Sequence, residues 1–449
     1  MCGVIGIYSK DSVSKKLFFG LNSLQHRGQE SCGMTVSDGE KLHREKGMGL
    51  VIDVFTEEKL DRCEGNIGIG HVRYSTAGGS FDYNTQPLMG FVRGRELSLA
   101  HNGNLVNHGI LKTRLEEDGV MFQTGIDTEV ILYLIARYYK DDIIDAIKKT
   151  MSVIQGAYSI VLLLKEKLVA FRDPYGIRPL IIGEGEDGDV IISSENAAVE
   201  IIGHSAKRDI KPGEIVVVDK DGIRSYFYED EQKPKHCIFE YVYFSRDDAC
   251  LDNVNSYDFR RRCGEIISVE SPCDVDLVVP VPDSGIPSAI GYAQRANIPF
   301  AEGLVKNRYM GRTFIKPTQE EREMAVKLKL NPLRHVLEGK KIVLIDDSIV
   351  RGTTSANLIK RIREAGAKEV HLRITSPPVE YPCYYGIDTP NRKNLIAANL
   401  SVEEIREKID ADSLAFISME GMQKATLIDE DKFCKACFTG KYPVDPVII

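Results

Sequence analysis

The chain has 449 residues, 43 % of them hydrophobic and 28 % charged, and a formal net charge of −8 at pH 7. This length allows two or three domains with separate cores. The acidic balance argues against nucleic-acid binding, which requires a basic surface. No apolar run reaches about 18 residues, and the segment that begins Met1-Cys2-Gly3 lacks the basic region and long apolar stretch of a signal peptide. We therefore expect a cytoplasmic protein that does not bind membranes.

The first half of the chain is predicted to contain strands, then helices, then strands again, which is typical of a layered domain with helices covering sheets. The predicted strands are 2–8, 65–74, 96–105, 157–164 and 167–172, and the predicted helices are 15–24, 128–139 and 143–154. The charged segment 229–235 contains Pro234 and has no apolar periodicity, so it is the candidate linker.

The second half alternates apolar strands with helices. The predicted strands are 276–281, 341–345 and 369–374, and the predicted helices are 286–296 and 354–365. This βα alternation predicts a mostly parallel sheet with helices on its faces.

Cys2 is the first candidate nucleophile. Removal of Met1 would leave an α-amino group on the same residue as the thiol, and an amine of pKa about 8 is partly neutral at physiological pH. Such an amine can serve as the base that activates the thiol. Taken alone, a cysteine at this position is more often incidental.

Four further motifs follow Cys2 in order: HRGQES at 26–31, HVRYST at 71–76, HNGN at 101–104 and GIDTE at 125–129. Together with CGVIGI at 2–7, this series resembles the class II glutamine amidotransferase domain of the N-terminal nucleophile hydrolases. The resemblance implies an αββα domain over 2–230 that hydrolyses glutamine at Cys2.

The amide chemistry assigns the remaining roles. Thiolate attack creates an oxyanion, for which the Asn102 side chain and the Gly103 N–H are the candidate donors. Arg73 suits the α-carboxylate of glutamine and Asp127 suits its α-ammonium. Asp127 is also a candidate N-cap for a helix beginning at Thr128.

Other polar residues of these motifs are given structural roles. His71 and His101 are interpreted as histidines that shape the site. Arg27 and Gly28 are interpreted as a neighbouring loop that takes no part in the chemistry.

The segment VLIDDSIVRGTTS at 343–355 delivers Asp346 and Asp347 to the carboxyl end of an apolar strand, where open α/β sheets bind ligands. A loop of small hydroxyl residues then enters a helix N-terminus, which suits an anion. This segment resembles the binding loop for phosphoribosyl pyrophosphate (PRPP) of type I phosphoribosyltransferases. The resemblance implies that the two aspartates bind the ribose hydroxyls and one Mg²⁺ per site. It assigns the 5′-phosphate to Ser348, Arg351, Gly352, Thr353, Thr354 and Ser355.

Two other segments complete the predicted PRPP site. PVPDSG at 280–285 resembles the pyrophosphate loop of the same family, with Asp283, Ser284 and Gly285 near the diphosphate and Ser284 also a Mg²⁺ ligand. The basic segment 306–315 resembles a mobile loop in which Lys306, Arg308 and Arg312 neutralise the leaving pyrophosphate. A solvated basic loop is the alternative for that segment.

Cys434 and Cys437 form a C-x-x-C motif, which alone indicates zinc, a redox pair or nothing. Together with Cys237 and Cys383 they resemble the four ligands of a [4Fe–4S] cluster in one branch of the family, with a structural or oxygen-sensing role. A four-cysteine Zn²⁺ site is the alternative. The other cysteines are interpreted as small core or surface residues: Cys32, Cys63, Cys250, Cys263 and Cys273.

Nearly the whole chain resembles the iron–sulfur branch of the amidophosphoribosyltransferase family, with a phosphoribosyltransferase domain over 236–449. The resemblance implies that ammonia from glutamine travels along an enclosed path to C1 of PRPP, giving phosphoribosylamine, glutamate and pyrophosphate. That reaction opens de novo purine (IMP) synthesis. Candidate path residues are 241–244 and 306–315. Feedback by purine nucleotides and a homodimer or homotetramer are also implied.

Two other functions are kept open. A class II amidotransferase that feeds a sugar phosphate or aspartate would need a different acceptor domain, which Asp346 and Asp347 argue against. A regulatory PRPP sensor without catalysis would have no reason to carry the set Cys2, Arg73, Asn102 and Asp127.

Overall fold

The computed structural model describes residues 1–74, 78–230, 233–307, 330–389 and 391–446. Within these ranges no helix combines the length and apolar character needed to cross a bilayer. Arg308 and Arg312 of the predicted mobile loop lie outside the described residues.

Two antiparallel sheets stack in the first half of the chain. In spatial order, the seven strands of one are Ser205–Asp209, Ile181–Glu184, Val190–Ser193, Gly3–Tyr8, Ile67–Arg73, Ser31–Ser37 and Leu42–Met48. The six strands of the other are Gly222–Phe227, Glu214–Asp219, Lys167–Arg172, Gly156–Leu164, Arg95–Leu105 and Leu88–Val92.

Helices cover the outer faces of both sheets, which gives the predicted αββα layers. Along the strand Gly3–Tyr8, Val4 joins the core between the sheets, while Ile5 joins the core under the helix Ser14–Ser23. This alternation follows from the period of two along a strand. The described helices of this half are Ser14–Ser23, Val51–Val54, Glu57–Asp61, His108–Glu117, Asp127–Tyr138, Ile143–Met151 and Asn196–Glu200, with short 3₁₀ turns at Gln25–Arg27 and Asp82–Asn84.

The second half contains the predicted parallel sheet. Its four strands, in spatial order, are Leu277–Pro280, Lys341–Asp346, Glu369–Ile374 and Ser413–Phe416, and all neighbouring pairs are parallel. The described helices of this half are Ser256–Glu270, Gly285–Ala296, Arg334–Leu337, Thr353–Glu364, Val402–Ile409, Met419–Thr426 and Ala436–Thr439, with a π-helix at Glu240–Phe244 and 3₁₀ turns at Arg392–Asn394, Ile396–Ala398 and Glu430–Lys432.

Three short strand pairs complete the second half. They are His236–Cys237 with Phe433–Cys434, Cys250–Leu251 with Val254–Asn255, and Leu304–Lys306 with Leu330–Pro332. The first pair is parallel and places Cys237 directly beside Cys434.

One local prediction about Asp127 is wrong. The helix begins at Asp127, and Ile126 occupies the N-cap position without a side-chain cap. The carboxylate of Asp127 therefore does not cap a helix beginning at Thr128.

Candidate active sites

Cys2 lies just before Gly3–Tyr8, the central strand of the seven-stranded sheet. Its side chain is 9 % exposed, and its thiol donates to the carbonyl oxygen of Tyr74 at 3.6 Å. The main-chain nitrogen of Cys2 donates to Oδ1 of Asn102 at 3.3 Å. The nucleophile and the predicted oxyanion donor are therefore adjacent.

The other end of the Asn102 amide is an orphan donor. Nδ2 is buried and has no hydrogen-bond acceptor among the described residues. Buried polar groups are normally paired, so such a donor beside a nucleophile is suited to a charge that develops only during reaction.

Gly103 keeps the neighbouring backbone close to the next strand. Its φ is +150°, and a Cβ there would lie 2.0 Å from the carbonyl oxygen of Ala157. Only glycine fits this position, near the end of the strand Arg95–Leu105 and next to Asn102.

The predicted glutamine-binding residues frame the same region. Arg73 ends the strand Ile67–Arg73, pairs with Glu30 and donates from Nη2 to the carbonyl oxygen of Gly79 at 3.0 Å. Asp127 accepts from the N–H of Leu105 at 2.8 Å. Both side chains are buried and already have protein partners.

His101 and Asp127 form a buried pair, with 3.6 Å between Nδ1 and Oδ1. Burial alone would raise the pKa of Asp127, but the His101 charge and hydrogen bond outweigh burial and lower it. Burial would lower the pKa of His101, but Asp127 outweighs burial and raises it.

His71 has a different environment. Its Nε2 lies 3.2 Å from the carbonyl oxygen of His101, and its buried Nδ1 has no partner among the described residues. Burial, helped by the Arg73 charge, lowers the pKa of His71 to about 3, so its imidazole is neutral. Both histidines thus contact residues of the site, as expected of histidines that shape it. Only one of the two ring nitrogens of His71 has a hydrogen-bond partner among the described residues.

Arg27 contacts the nucleophile residue directly, which the loop interpretation missed. Its Nε donates to the carbonyl oxygen of Cys2 at 2.9 Å, and its guanidinium pairs with Glu195 and with both oxygens of Glu240. Gly28 beside it packs against the Arg73 backbone. Glu240 lies 213 residues away along the chain, so no local sequence signal could identify it as a partner.

The acidic pair of the second half lies where the parallel strands end. Asp346 ends the strand Lys341–Asp346, and Asp347 accepts from the hydroxyls of Ser284 and Ser348. Burial raises the pKa of both carboxyls, and the Asp347 charge raises that of Asp346 further. A divalent cation would offset this cost, and carboxylate and hydroxyl oxygens are ligands that Mg²⁺ accepts.

The loop after the acidic pair leads to the helix Thr353–Glu364. Gly352 occupies its N-cap with a φ of +77°, and no described side chain caps this end. The first-turn N–H groups are therefore available to an anion. Arg351, Thr353 and Thr354 are exposed at this end, whereas Ser355 is buried.

The predicted pyrophosphate loop faces a large cavity. Asp283 pairs with Lys306, and Gly285 begins the helix Gly285–Ala296. The cavity, of about 1010 Å³, is bordered by both halves of the chain. Its lining includes His26, Gln29 and Leu50 from the first half and Tyr243, Phe244, Asp283, Ser284 and Lys306 from the second.

The four predicted cluster cysteines lie together. Burial raises the pKa of the Cys437 thiol well above its usual value, and nearby Cys237, Cys434 and Cys383 raise it further. Yet no three of these four sulfurs lie within 4.8 Å of one another. A tetrahedral Zn²⁺ with Zn–S bonds of about 2.3 Å would hold its sulfurs about 3.8 Å apart.

The group of described residues close enough to share one ion is Asp187, Asp189 and His204, at the surface of the first half. The ammonium of Lys16 already pairs with Asp189 there. The positive charge at this group of residues is thus the Lys16 ammonium, and the contact argues against a metal ion there.

The chain is similar to known proteins over nearly its whole length. Residues 71–200 match a family described as a glutamine amidotransferase domain, and residues 265–375 match one described as a phosphoribosyl transferase domain. Amidophosphoribosyltransferase 1, chloroplastic, from Arabidopsis thaliana is 50 % identical over 99 % of this chain and 79 % of its own length. The Methanocaldococcus jannaschii amidophosphoribosyltransferase is 47 % identical over 99 % of this chain and 98 % of its own.

A solved structure is similar over the same span. The B. subtilis glutamine PRPP amidotransferase complexed with ADP and GMP has a TM-score of 0.93 and 44 % identity, covering 99 % of this chain and 98 % of that one. The chain therefore belongs to the amidophosphoribosyltransferase family.

Proposed function

We propose that Cys2 hydrolyses glutamine and that the ammonia reacts at the acidic pair of the second half, converting PRPP to phosphoribosylamine. The observation that carries the proposal is Nδ2 of Asn102, which is buried and has no acceptor among the described residues, beside the Cys2 nucleophile. A purely structural asparagine would have both ends paired.

The glutaminase half-reaction uses the residues around Cys2. The α-amine of Cys2, once Met1 is removed, takes the thiol proton, and the thiolate attacks the carbon of the glutamine amide. The C–N bond then breaks, the α-ammonium returns its proton to the leaving nitrogen, and ammonia departs. Water hydrolyses the thioester, which releases glutamate and restores the thiol. Asn102 Nδ2 and the Gly103 N–H stabilise the oxyanion. Arg73 binds the substrate carboxylate and Asp127 its ammonium. Since both already have protein partners, substrate binding rearranges the Arg73–Glu30 and Asp127–His101 contacts.

The transfer half-reaction uses the carboxyl end of the parallel sheet. Asp346 and Asp347, with Ser284, would hold Mg²⁺, which supplies neutralisation of the diphosphate charge. The 5′-phosphate binds at the N-terminus of the helix Thr353–Glu364, within 348–355. Asp283, Ser284, Gly285 and Lys306 contact the pyrophosphate group. The ammonia lone pair attacks C1, pyrophosphate leaves with the C1–O electrons, and a proton is released from the new amine.

The shared cavity supports delivery of ammonia between the two sites. Ammonia released into water would be mostly protonated and would not attack C1. Tyr243 and Phe244 line the cavity next to the pyrophosphate loop, and His26 and Gln29 line it on the Cys2 side. These residues of both halves support a path for ammonia through this region.

The cysteine group would hold a [4Fe–4S] cluster through Cys237, Cys383, Cys434 and Cys437. Four neighbouring thiols, two of them buried and two half-buried, provide the usual ligand set, and their spacing is wider than one Zn²⁺ requires. The cluster would supply a cross-link between distant chain segments, because amide transfer needs no electron.

The domain bounds, the regulation, the oligomeric state and the cellular location are also proposals. We divide the chain into an amidotransferase domain at 2–230 and a phosphoribosyltransferase domain at 236–449. Feedback by purine nucleotides is supported by the ADP and GMP bound to the B. subtilis enzyme. A homodimer or homotetramer and a cytoplasmic location stay predictions of the sequence.

Pyrophosphate release tests the function. We expect anaerobically purified protein to release pyrophosphate only when Mg²⁺, PRPP and glutamine are all present. Cys2→Ala is expected to respond to ammonium salt but not to glutamine. If neither protein releases pyrophosphate under either regime while PRPP binds, the chain is a sensor and the proposal fails.

A further inference from the structure

The buried ion pairs behind Cys2 join the two halves of the chain. Arg27 from the first half and Glu240 from the second have fully or almost fully buried side chains. Their contact is bidentate, with 2.9 Å from Nη2 to Oε1 and 3.1 Å from Nη1 to Oε2. Such fork geometry fixes the guanidinium more tightly than a single contact does.

The same guanidinium reaches the nucleophile residue. Nε of Arg27 donates to the Cys2 carbonyl oxygen at 2.9 Å, so the orientation of Arg27 sets the position of the Cys2 backbone. Any rotation of Arg27 would break either this bond or the Glu240 fork. The position of Cys2 is thus tied to a carboxylate from the other half.

Glu240 begins an unusual helix that extends to the acceptor site. The π-helix Glu240–Phe244 brings Phe244 to the cavity that Asp283 and Ser284 also line. π-helical turns are rare and occur frequently at functional sites. One short, rigid element therefore contacts the glutaminase machinery at one end and the PRPP cavity at the other.

Arg260 fixes the far end of this helix. It donates to the carbonyl oxygens of Tyr241 at 2.9 Å and Ser245 at 2.8 Å, and it lines the cavity beside Ser284. Arg260 thus links the cavity beside Ser284 to the helix that carries Glu240.

We propose that Glu240 is a positioning residue through which the phosphoribosyltransferase side holds Cys2 in its reactive geometry, acting through Arg27. The inference rests on the proposed function and goes beyond it by assigning a role to a residue that contacts neither substrate. It requires that glutamine chemistry, but not ammonia chemistry, depends on this carboxylate.

The test compares Glu240→Gln with wild type in two assays, glutamine hydrolysis and ammonia-dependent pyrophosphate release. We expect kcat for glutamine to fall about 10- to 100-fold, because small misplacement of a nucleophile has effects of this size. KM for glutamine should change little, since Arg73 and Asp127 are untouched. Ammonia-dependent release should stay within about twofold, and alkylation of Cys2 by iodoacetamide should slow in parallel with kcat.

Glu195→Gln is the matched control. Glu195 also pairs with Arg27 and is fully buried, but it comes from the first half and leaves the Glu240 fork intact. We expect a smaller loss in this variant. If Glu195→Gln loses as much kcat for glutamine as Glu240→Gln and keeps its ammonia-dependent activity, removal of any charge near Arg27 has this effect. That result would overturn the proposal.

The remaining outcomes are also decisive. Glutamine turnover within about twofold of wild type in Glu240→Gln would overturn the proposal. If Glu240→Gln loses activity in both assays, the same two assays are repeated with Glu240→Asp, which keeps the charge but has a shorter side chain. A selective glutamine loss in that variant supports positioning, and a joint loss shows only structural support. Inactivity of the wild type in both assays would instead refute the proposed function.

Discussion

The side-chain amide of Asn102 is expected to act only when charge develops on the substrate. We predict that Asn102→Ala lowers kcat for glutamine hydrolysis about 10²- to 10³-fold, the usual cost of losing one oxyanion donor. Ammonia-dependent pyrophosphate release should be unchanged. Steady-state kinetics with each nitrogen source measures both values.

Asn107→Ala provides a control at another largely buried asparagine. Asn107 donates to the carbonyl oxygen of Val153 at 2.9 Å and does not contact Cys2. Its loss should lower the thermal midpoint without lowering kcat. Equal losses of kcat in the two variants would contradict the assignment of Asn102.

His71 gives a pH-dependent prediction. Burial holds its pKa at about 3 in the folded protein, against about 6.5 in an unfolded chain. Between these values only the unfolded chain binds the proton, so the stability of the folded protein falls as the pH falls through this window. From about pH 7 to about pH 5 this amounts to about 2 kcal/mol.

The His71→Gln variant removes this titration while keeping a hydrogen-bond donor. We expect its thermal midpoint to fall less than that of wild type between these two pH values. The exposed His335, changed to Gln, should leave the wild-type pH dependence intact. If His71→Gln loses as much as wild type on acidification, His71 is not neutral in the folded protein.

The series of ordered motifs, through its resemblance to a known family, predicted Cys2, Asn102 and Asp127, and amide chemistry gave each of them a role. It did not predict the contact of Arg27 with Cys2. Arg27 also pairs with Glu240, which is brought near it only by folding. A buried arginine looks the same in sequence as an exposed one.

At the scale of elements, short runs of apolar residues, continuous or alternating with polar ones, were the most informative pattern. The strands predicted at 369–374 and 167–172 have the bounds found in the structure, Glu369–Ile374 and Lys167–Arg172. The strand Ser31–Ser37 was missed because it is entirely buried yet mostly small or polar. The helix Ser256–Glu270 was missed because Arg260 lies on its buried side, which obscures the apolar periodicity.

The turn into the helix Thr353–Glu364 requires glycine. A Cβ at Gly352 would lie 2.5 Å from Cδ1 of Ile396, and the left-handed φ of +77° adds about 1–2 kcal/mol of strain for other residues. We predict that Gly352→Ala raises KM for PRPP about tenfold, with ammonia as the nitrogen source, because the phosphate loop must shift.

Gly339→Ala separates strain from displacement of the loop. Gly339 has nearly the same φ, +75°, but a Cβ at this position would meet no atom of the described residues within 4 Å. Its variant should lose stability and keep the wild-type KM. An unchanged KM in Gly352→Ala would remove 348–355 from the phosphate site.

The short strand pair His236–Cys237 and Phe433–Cys434 contains two of the proposed cluster ligands, so the metal content of the protein tests its role. Anaerobic protein should contain about four iron and four sulfide per chain, the content of one [4Fe–4S] cluster. Cys434→Ala should lose both and unfold at lower temperature. Cys263→Ala, which removes a buried thiol from the helix Ser256–Glu270, should keep the iron. Stoichiometric zinc in place of iron would contradict the cluster.

At the scale of the whole molecule, the two halves are joined by buried polar contacts. Arg172 pairs with Asp252, and Nδ2 of Asn104 donates to the carbonyl oxygen of Tyr384 at 2.8 Å. In sequence these residues resemble ordinary surface groups. The order of the two enzymatic modules could therefore be predicted from motifs, whereas their joint surface could not.

The surface between the two halves contains the proposed ammonia path, and substitution of Phe244 tests this path. Phe244 is half-buried and lines the shared cavity, so truncation should open it to solvent. We predict that Phe244→Ala hydrolyses more glutamine than it releases pyrophosphate, whereas wild type produces equal amounts of glutamate and pyrophosphate. With isotope-labelled glutamine and excess unlabelled ammonium, the variant's product should lose label.

Tyr226→Ala is the control, because Tyr226 lines a separate cavity of the first half. This variant should still produce equal amounts of glutamate and pyrophosphate. Full coupling in Phe244→Ala would mean that ammonia travels by another route.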